Sequence, residues 1–401
     1  MERWPKLKLD DCVDLLAGFP FKSQQFTDNP DDVPLVKGKN VSQGCILWGK
    51  SKRWPVDDWD NLEKFHLRPG DVVIAMDRPW IPAGLKWSFI RENDPRAPLV
   101  QRCARLRSSK ECLDQNFLRF VIGGPDIEGY VKPITTGVNA PHISGKQILD
   151  FEFTLPPLPI QHRIAGILSA YDDLIENSQR RIKILEEMAR RLYREWFVHF
   201  RFPGHEDGRL VDSPLGEIPE GWEVKRLGKV AELNYGKALK KEERRDGPFP
   251  VFGSSGQVGN HECSLTQGPG IIVGRKGNVG SVFWCDDDFF VIDTAYFVTS
   301  RLPLRFLYYL LPSLNFINSD AAVPGLSRNQ AYSLEVVVPP DDVLRLFCNQ
   351  ADIIEVQAIV LKRQIANLRR TRDLLLPRLL SGQIDVEALP EPTLAGQAPE
   401  S

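Results

Sequence analysis

The chain has no long apolar run. None of its 401 residues fall in a stretch approaching the roughly 18 consecutive apolar positions needed to cross a bilayer, so no transmembrane helix is expected. Its opening, Met1-Glu2-Arg3-Trp4-Pro5, lacks the apolar centre of a secretory signal. Cysteine is sparse and unpatterned. The seven (Cys12, Cys45, Cys103, Cys112, Cys263, Cys285, Cys348) include no Cys-x-x-Cys pair, which argues against a zinc site and against a disulfide frame. Reduced thiols in a cytoplasmic protein are expected. Excess charge is missing too: 51 Lys and Arg face 53 Asp and Glu, a net charge of -2. A free-standing nucleic-acid binder is usually basic, so composition argues mildly against one, while leaving room for local basic faces.

The residues of catalysis are equally scarce. There is no Asn-Pro-Pro-aromatic stretch and no glycine-rich loop of the kind that holds S-adenosylmethionine or a nucleotide between strand and helix. Arg275-Lys276-Gly277-Asn278-Val279-Gly280 resembles a phosphate loop only superficially, because the Gly-Lys-Ser/Thr ending is absent. Asp286-Asp287-Asp288 could be drawn as a metal site, but no second ligand group stands at a telling spacing, which favours a solvated turn. The six histidines form no metal-ligand pattern. His142 could order a turn or touch a ligand, and the sequence favours neither. No catalytic residue, no metal and no cofactor of its own is expected for this chain.

What is present is a long helical seam and its echo. Leu168, Tyr171, Ile175, Ser178, Ile182, Leu185, Ala189, Leu192, Trp196 and His199 recur at alternating spacings of three and four. Glu186/Arg190 and Glu187/Arg191 are four apart and support a solvated helical face. A helix of about 40 residues is about 60 Å long, too long for one small globule to bury, so it needs a partner helix. A constant offset of 183 turns Leu168 into Ala351, and the series continues through Ile354, Ala358, Leu361, Ile365, Leu368, Arg372, Leu375 and Leu379. Only Arg372 breaks the apolar pattern. The same offset relates Phe151-Glu152-Phe153-Thr154-Leu155-Pro156-Pro157 to Leu334-Glu335-Val336-Val337-Val338-Pro339-Pro340. An internal repeat explains these matches better than two unrelated amphipathic helices.

The expected fold is α+β: two similar mixed α/β domains separated by two long helices that form an antiparallel coiled coil, with pseudo-twofold internal symmetry. The boundaries read as a first domain over 1–157, a spacer helix over 158–200 and a connector over 201–222. A second domain over 223–339, a second helix over 340–382 and a disordered tail over 383–401 follow. Strands are expected at Pro34–Val36, Asp71–Met76, Gly270–Gly274 and Val291–Val298, with a short helix at Phe117–Ile122. The loops between them are rich in basic, amide and aromatic residues. Lys37, Lys39, Asn40, Lys52, Arg53 and Arg78 are candidates for duplex contact in the first domain. Lys237, Lys240, Lys241, Arg275, Lys276, Asn278, Arg328 and Asn329 are candidates in the second. Lys and Arg position a duplex by its phosphates, and Arg, Lys, Asn and Gln read base edges. For any single residue a solvated surface is the better reading. The Gly274–Asn278 cluster is favoured, because it follows a buried-looking strand at a loop.

Four stretches give the chain a family resemblance. Thr135-Thr136-Gly137 with Pro141-His142-Ile143-Ser144, then Phe153–Pro157 and Gln161-His162-Arg163-Ile164-Ala165, resemble the lead into the first spacer helix of type I restriction–modification specificity subunits. Leu192–Phe197 with Phe202-Pro203-Gly204 is similar to its end. Ile218-Pro219-Glu220-Gly221-Trp222 resembles the opening of the second recognition domain, and Leu376–Gly382 the end of the second helix. The likeness spans nearly the whole chain. It departs at Asp341–Arg345, where a glutamine comparable to Gln161 is missing. The resemblance implies two target recognition domains, each reading half of a bipartite asymmetric site in double-stranded DNA. It implies two modification subunits carrying S-adenosylmethionine, and restriction subunits using ATP and Mg. The helices would set the spacing and dock the methyltransferases, with Tyr171, Ile175, Ile182, Leu185, Leu192, Trp196, Ile354, Leu361, Ile365, Leu368 and Leu375 as docking candidates. The chain itself would be no enzyme. The alternative is a coiled-coil scaffold whose loop domains bind protein.

Overall fold

The computed structural model describes residues 4–137, 141–316 and 325–389. The chain forms two compact units, Met1–Asn177 with Ile365–Ser401, and Ser178–Gln364. Each unit therefore holds one half of each long helix, a division that reading the chain in order does not anticipate. It arises because the second helix folds back along the first.

In the first unit, four antiparallel strands lie in the order Val13–Ala17, Cys103–Ser108, Val72–Ala75, Trp87–Phe89. Val72-Val73-Ile74-Ala75 is apolar throughout because both faces are covered. Val72 and Ile74 join the cluster of Phe117, Leu118 and Ile164, while Val73 and Ala75 pack with Val36, Ile90 and Leu99. The helix Gln115–Ile122 starts at Asp114, whose carboxylate accepts the Phe117 amide hydrogen at 2.8 Å. Strand Lys6–Lys8 pairs with Glu152–Thr154, and the first long helix, Leu158–Phe197, begins just beyond.

The second unit repeats this order with Ala231–Tyr235, Ala295–Ser300, Gly270–Gly274 and Val282–Cys285. Glu223–Arg226 pairs with Glu335–Val338 ahead of the second long helix, Asp341–Leu380. A three-stranded sheet adds Gly256–His261, Phe249–Gly253 and Phe290–Val291. The expected single strand Val291–Val298 is split. Phe290–Val291 and Ala295–Ser300 belong to different sheets, because the chain turns at Ile292–Ala295, where the Ala295 amide donates to the Ile292 carbonyl at 3.0 Å.

The helix pairing is antiparallel. In the first unit the Arg372 guanidinium meets the Asp172 carboxylate at 2.6 Å. In the second, the Phe347 ring lies 4.9 Å from Phe197 and 6.0 Å from Trp196. Within the first unit, moving back along the first helix from Asp172 to Arg163 moves forward from Arg372 to Leu389, whose carbonyl accepts from the Arg163 guanidinium. The polar break at Arg372 is the other half of an ion pair. The missing glutamine is accounted for as well. Gln161 is fully buried, binding the Cys112 and Pro156 carbonyls and the Asp114 amide, whereas its offset counterpart Leu344 is simply apolar core. The first helix ends at Phe197, short of residue 200, as Phe200 turns to a positive φ of 57°. His199 therefore falls outside the seam. The expected tail disorder does not begin at residue 383: Val386 is buried against the first unit's core, and residues 390–401 lie outside the described residues.

No helix among the described residues is long and apolar enough to cross a membrane. Phe347→Ala should destabilise the chain by about 3–5 kcal/mol in urea unfolding, while Val356→Ser on the exposed face should shift it by no more than about 0.5 kcal/mol.

Candidate nucleic-acid interface

In the second unit, strand Gly270–Gly274 delivers Arg275 and Lys276 to a loop held by its own backbone. The amides of both residues donate to the Thr294 carbonyl, at 2.9 and 3.0 Å, and the Leu326 amide donates to the Arg275 carbonyl at 2.8 Å. Only glycine fits at position 274, since a Cβ there would stand 2.1 Å from the Asn278 carbonyl oxygen. The segment before the short helix Arg328–Ser333 lies beside this loop, with Lys276 bridged to Gly325. Two guanidinium groups then share one aromatic ring. Arg275 lies 4.9 Å and Arg328 5.0 Å from the Tyr235 ring centre. Tyr235, Arg275, Lys276, Tyr296, Arg328 and Asn329 line a cavity of about 470 Å³. The Tyr296 hydroxyl donates to the Leu326 carbonyl at 3.0 Å, and burial pushes its pKa up to about 12, so it remains a donor at neutral pH. Asn278 is exposed on the same loop but does not line the cavity. Lys237, Lys240 and Lys241 are exposed on the segment that leaves Tyr235.

The first unit has the same backbone with different chemistry. The Met76 amide donates to the Arg102 carbonyl and the Ile143 amide to the Met76 carbonyl, as Arg275 does to Thr294 and Leu326 to Arg275. Asp77 bridges to His142 where Lys276 bridges to Gly325. Arg78 takes a positive φ of 46°, and its counterpart is Gly277 at 78°. Asp77 pairs with Arg102 at 2.8 Å and with His142 Nδ1 at 2.6 Å. His142 therefore orders this loop.

The remaining candidates divide. Arg78 and Lys39 are exposed, and Lys37 lies over the Phe26 ring, burial lowering its pKa. Lys52 is paired with Asp28 at 2.7 Å, and Arg53 donates to the Asp32 carbonyl at 2.5 Å. Asn40 is a correction. It is fully buried, with its amide on the Leu35 carbonyl and Ser51, and its oxygen accepting the Lys37 amide hydrogen. It orders a loop and does not face a duplex. The docking candidates need a similar correction. Ile175, Ile182, Trp196, Leu361 and Ile365 are buried, because the seam is consumed by the chain's own packing. The helix residues left exposed are others, including Ile184, Met188, Ile353 and Val356. Spacing and composition do not single out Tyr235, Asp77 or Arg102. Tyr235 could have been suspected as an aromatic at the end of a strand beside a lysine-rich loop.

Among the described residues no group of three or more His, Cys, Asp or Glu could hold a metal. Asp286 and Asp288 instead accept hydrogen bonds from the Trp284 indole and the Gly268 amide.

A duplicated α+β scaffold carries polar loops with different side chains at matched backbone positions, Asp77 in one unit and Lys276 in the other. The family described as the type I restriction modification DNA specificity domain matches residues 1–187 and 219–372. The chain belongs to that family and is a specificity subunit of the type I restriction–modification class. It is 26% identical to the MjaIX specificity subunit of Methanocaldococcus jannaschii, over 70% of this chain and 71% of that one. It is 30% identical to the EcoAI specificity subunit of Escherichia coli, over 45% of this chain and 29% of that one. The crystal structure of the S subunit from M. genitalium shares the fold at a TM-score of 0.56 and 19% identity, over 94% of this chain and 96% of that one. The scaffold alternative finds no support in these likenesses.

Asn40→Ala should lower stability by about 1–3 kcal/mol through its orphaned partners, measured by thermal unfolding. DNA affinity per folded molecule should stay unchanged.

Proposed function

We propose that each unit reads one half of a bipartite, asymmetric duplex site, and that the long helices set the distance between the halves. One observation carries this reading: matching backbone bridges present Asp77, already bound by Arg102 and His142, in the first unit and the exposed Lys276 in the second. Opposite charges at matched positions favour different base edges. Arg or Lys suits the guanine acceptors, while a carboxylate accepts from the cytosine amino group. The Arg275–Tyr235–Arg328 stack holds two guanidinium groups over one ring, which limits their freedom before a duplex arrives.

The same proposal assigns chemistry to partners. Two modification subunits would bring S-adenosylmethionine, and restriction subunits ATP and Mg. Their docking would fall on exposed helical residues such as Ile184, Met188, Ile353 and Val356, since the seam itself is occupied. The chain alone would then transfer no methyl group, and it would act in the cytoplasm.

With the modification subunits present, Arg328→Ala or Arg275→Ala should cost about 1–3 kcal/mol of discrimination at one half-site and none at the other. Binding selection on randomised duplexes measures this. Equal weakening on all sequences would reduce these residues to phosphate contacts. Incubation of the chain alone with labelled S-adenosylmethionine and mixed-sequence DNA should give no transfer above a buffer control.

A further inference from the structure

The two units share a second device, away from the loops. In the first, Arg119 on the helix Gln115–Ile122 donates to Ser169 Oγ at 2.9 Å and lies 3.4 Å from the Asp172 carboxylate, both on the long helix. Its guanidinium also lies over the Phe89 ring at 4.2 Å. In the second, Arg305 on the helix Leu304–Leu310 binds Asp352 at 3.0 Å and lies 3.9 Å from Glu355. It sits 3.9 Å over the Trp284 ring. The helix offset of 183 converts Ser169 into Asp352 and Asp172 into Glu355. The aromatics match as well: Phe89 pairs with Val72, and Trp284 with Ile271, each on the edge strand of its sheet.

Both arginine side chains are about nine-tenths buried, at 9% and 11% exposure. Each leaves a buried nitrogen without a hydrogen bond, Nε of Arg119 and Nη1 of Arg305. A buried guanidinium with an unmet donor is a costly way to fill space, and apolar residues of similar volume often do as well or better. What it adds is direction. A planar fork held between a ring and a carboxylate accepts one orientation of the two elements, whereas an apolar contact accepts many. The device is kept in both copies, although the loops have diverged, Asp77 standing where Lys276 does.

We propose that Arg119 and Arg305 are positioning residues that fix the rotational phase of each recognition sheet on the long helix beneath it, and so the spacer length at which a duplex is accepted. This rests on the bipartite reading above. The copies also differ in what else reaches the carboxylate. Asp172 also receives Arg372 from the second helix, whereas the counterpart of Arg372 is Ala189, and Glu355 takes the Tyr309 hydroxyl instead, at 3.0 Å. The ion pairs of the second clamp therefore reach one helix only, and it should be the easier one to loosen.

The test uses the chain assembled with its modification subunits and duplexes carrying both half-sites at the native spacer or at spacers one base pair longer or shorter. Arg305→Met should flatten the spacer preference by about tenfold while leaving base discrimination within each half-site intact. Arg305→Lys should restore part of it. Asp352→Asn changes an exposed carboxylate and should act in the same direction if Arg305→Met fails to fold. Spin labels at Asp287→Cys and Gln357→Cys, in a Cys112→Ser, Cys263→Ser background, report on the clamp without DNA. Their distance distribution should broaden in Arg305→Met. An unchanged distribution overturns the proposal, whatever the DNA result. A broadened distribution with an unchanged spacer profile overturns the link to spacing. If the unmodified complex shows no bipartite preference, the reading beneath the proposal fails, and the labels still report whether the clamp holds the sheet.

Discussion

Everything in this chain depends on the burial of one apolar seam by another in the same molecule. With Ile175, Ile182, Trp196 and Leu361 exposed, each 40-residue helix would lose the packing that supplies most of a helix's stability in a folded protein. Antiparallel pairing removes both seams from solvent together. The packing is unevenly distributed. Phe347 lies among Tyr193, Trp196, Phe197 and Tyr309, while Ala189 and Ala351 permit closer approach of the backbones in the same cluster. Where the seam turns polar, at Arg372, the charge is balanced by Asp172 and the break does not become a fault.

The helices present rather than perform. Each sheet is anchored through its strands, its short helices and a buried arginine, leaving the loops at the strand ends free to differ. The same amide-to-carbonyl bonds hold Met76 and Arg275, yet the next residue is Asp77 in one copy and Lys276 in the other. Backbone bonding is indifferent to the side chain, so a duplicated frame keeps its geometry while its side chains change.

Much of this was legible in order along the chain. Heptad spacing located both helices, and the constant offset revealed the duplication. The arrival of Arg275 after an apolar strand marked the loop. Legibility stopped where a side chain's neighbour is remote in sequence. Asn40 looked like a surface amide beside two lysines, but its partners Leu35 and Ser51 close over it. The seam residues looked like a docking face because the sequence does not state which surface covers them. Tyr235 drew no notice, because its meaning comes from Arg275 and Arg328, tens of residues away.

The sequence by itself determined the periodic features: the register of the helices, their duplication, and the family to which the chain belongs. These depend on spacing, and spacing is local. The tertiary structure alone decided which charged residues face solvent, which pair with one another, and which are buried. Arg119 and Arg305 read as unremarkable helix residues until strands and long helices converge on them. Their environment is set by contacts some 50 residues distant, Arg119 with Ser169 and Arg305 with Asp352. Desolvation and ion pairing depend on the summed neighbourhood of a group, and only a folded chain has one.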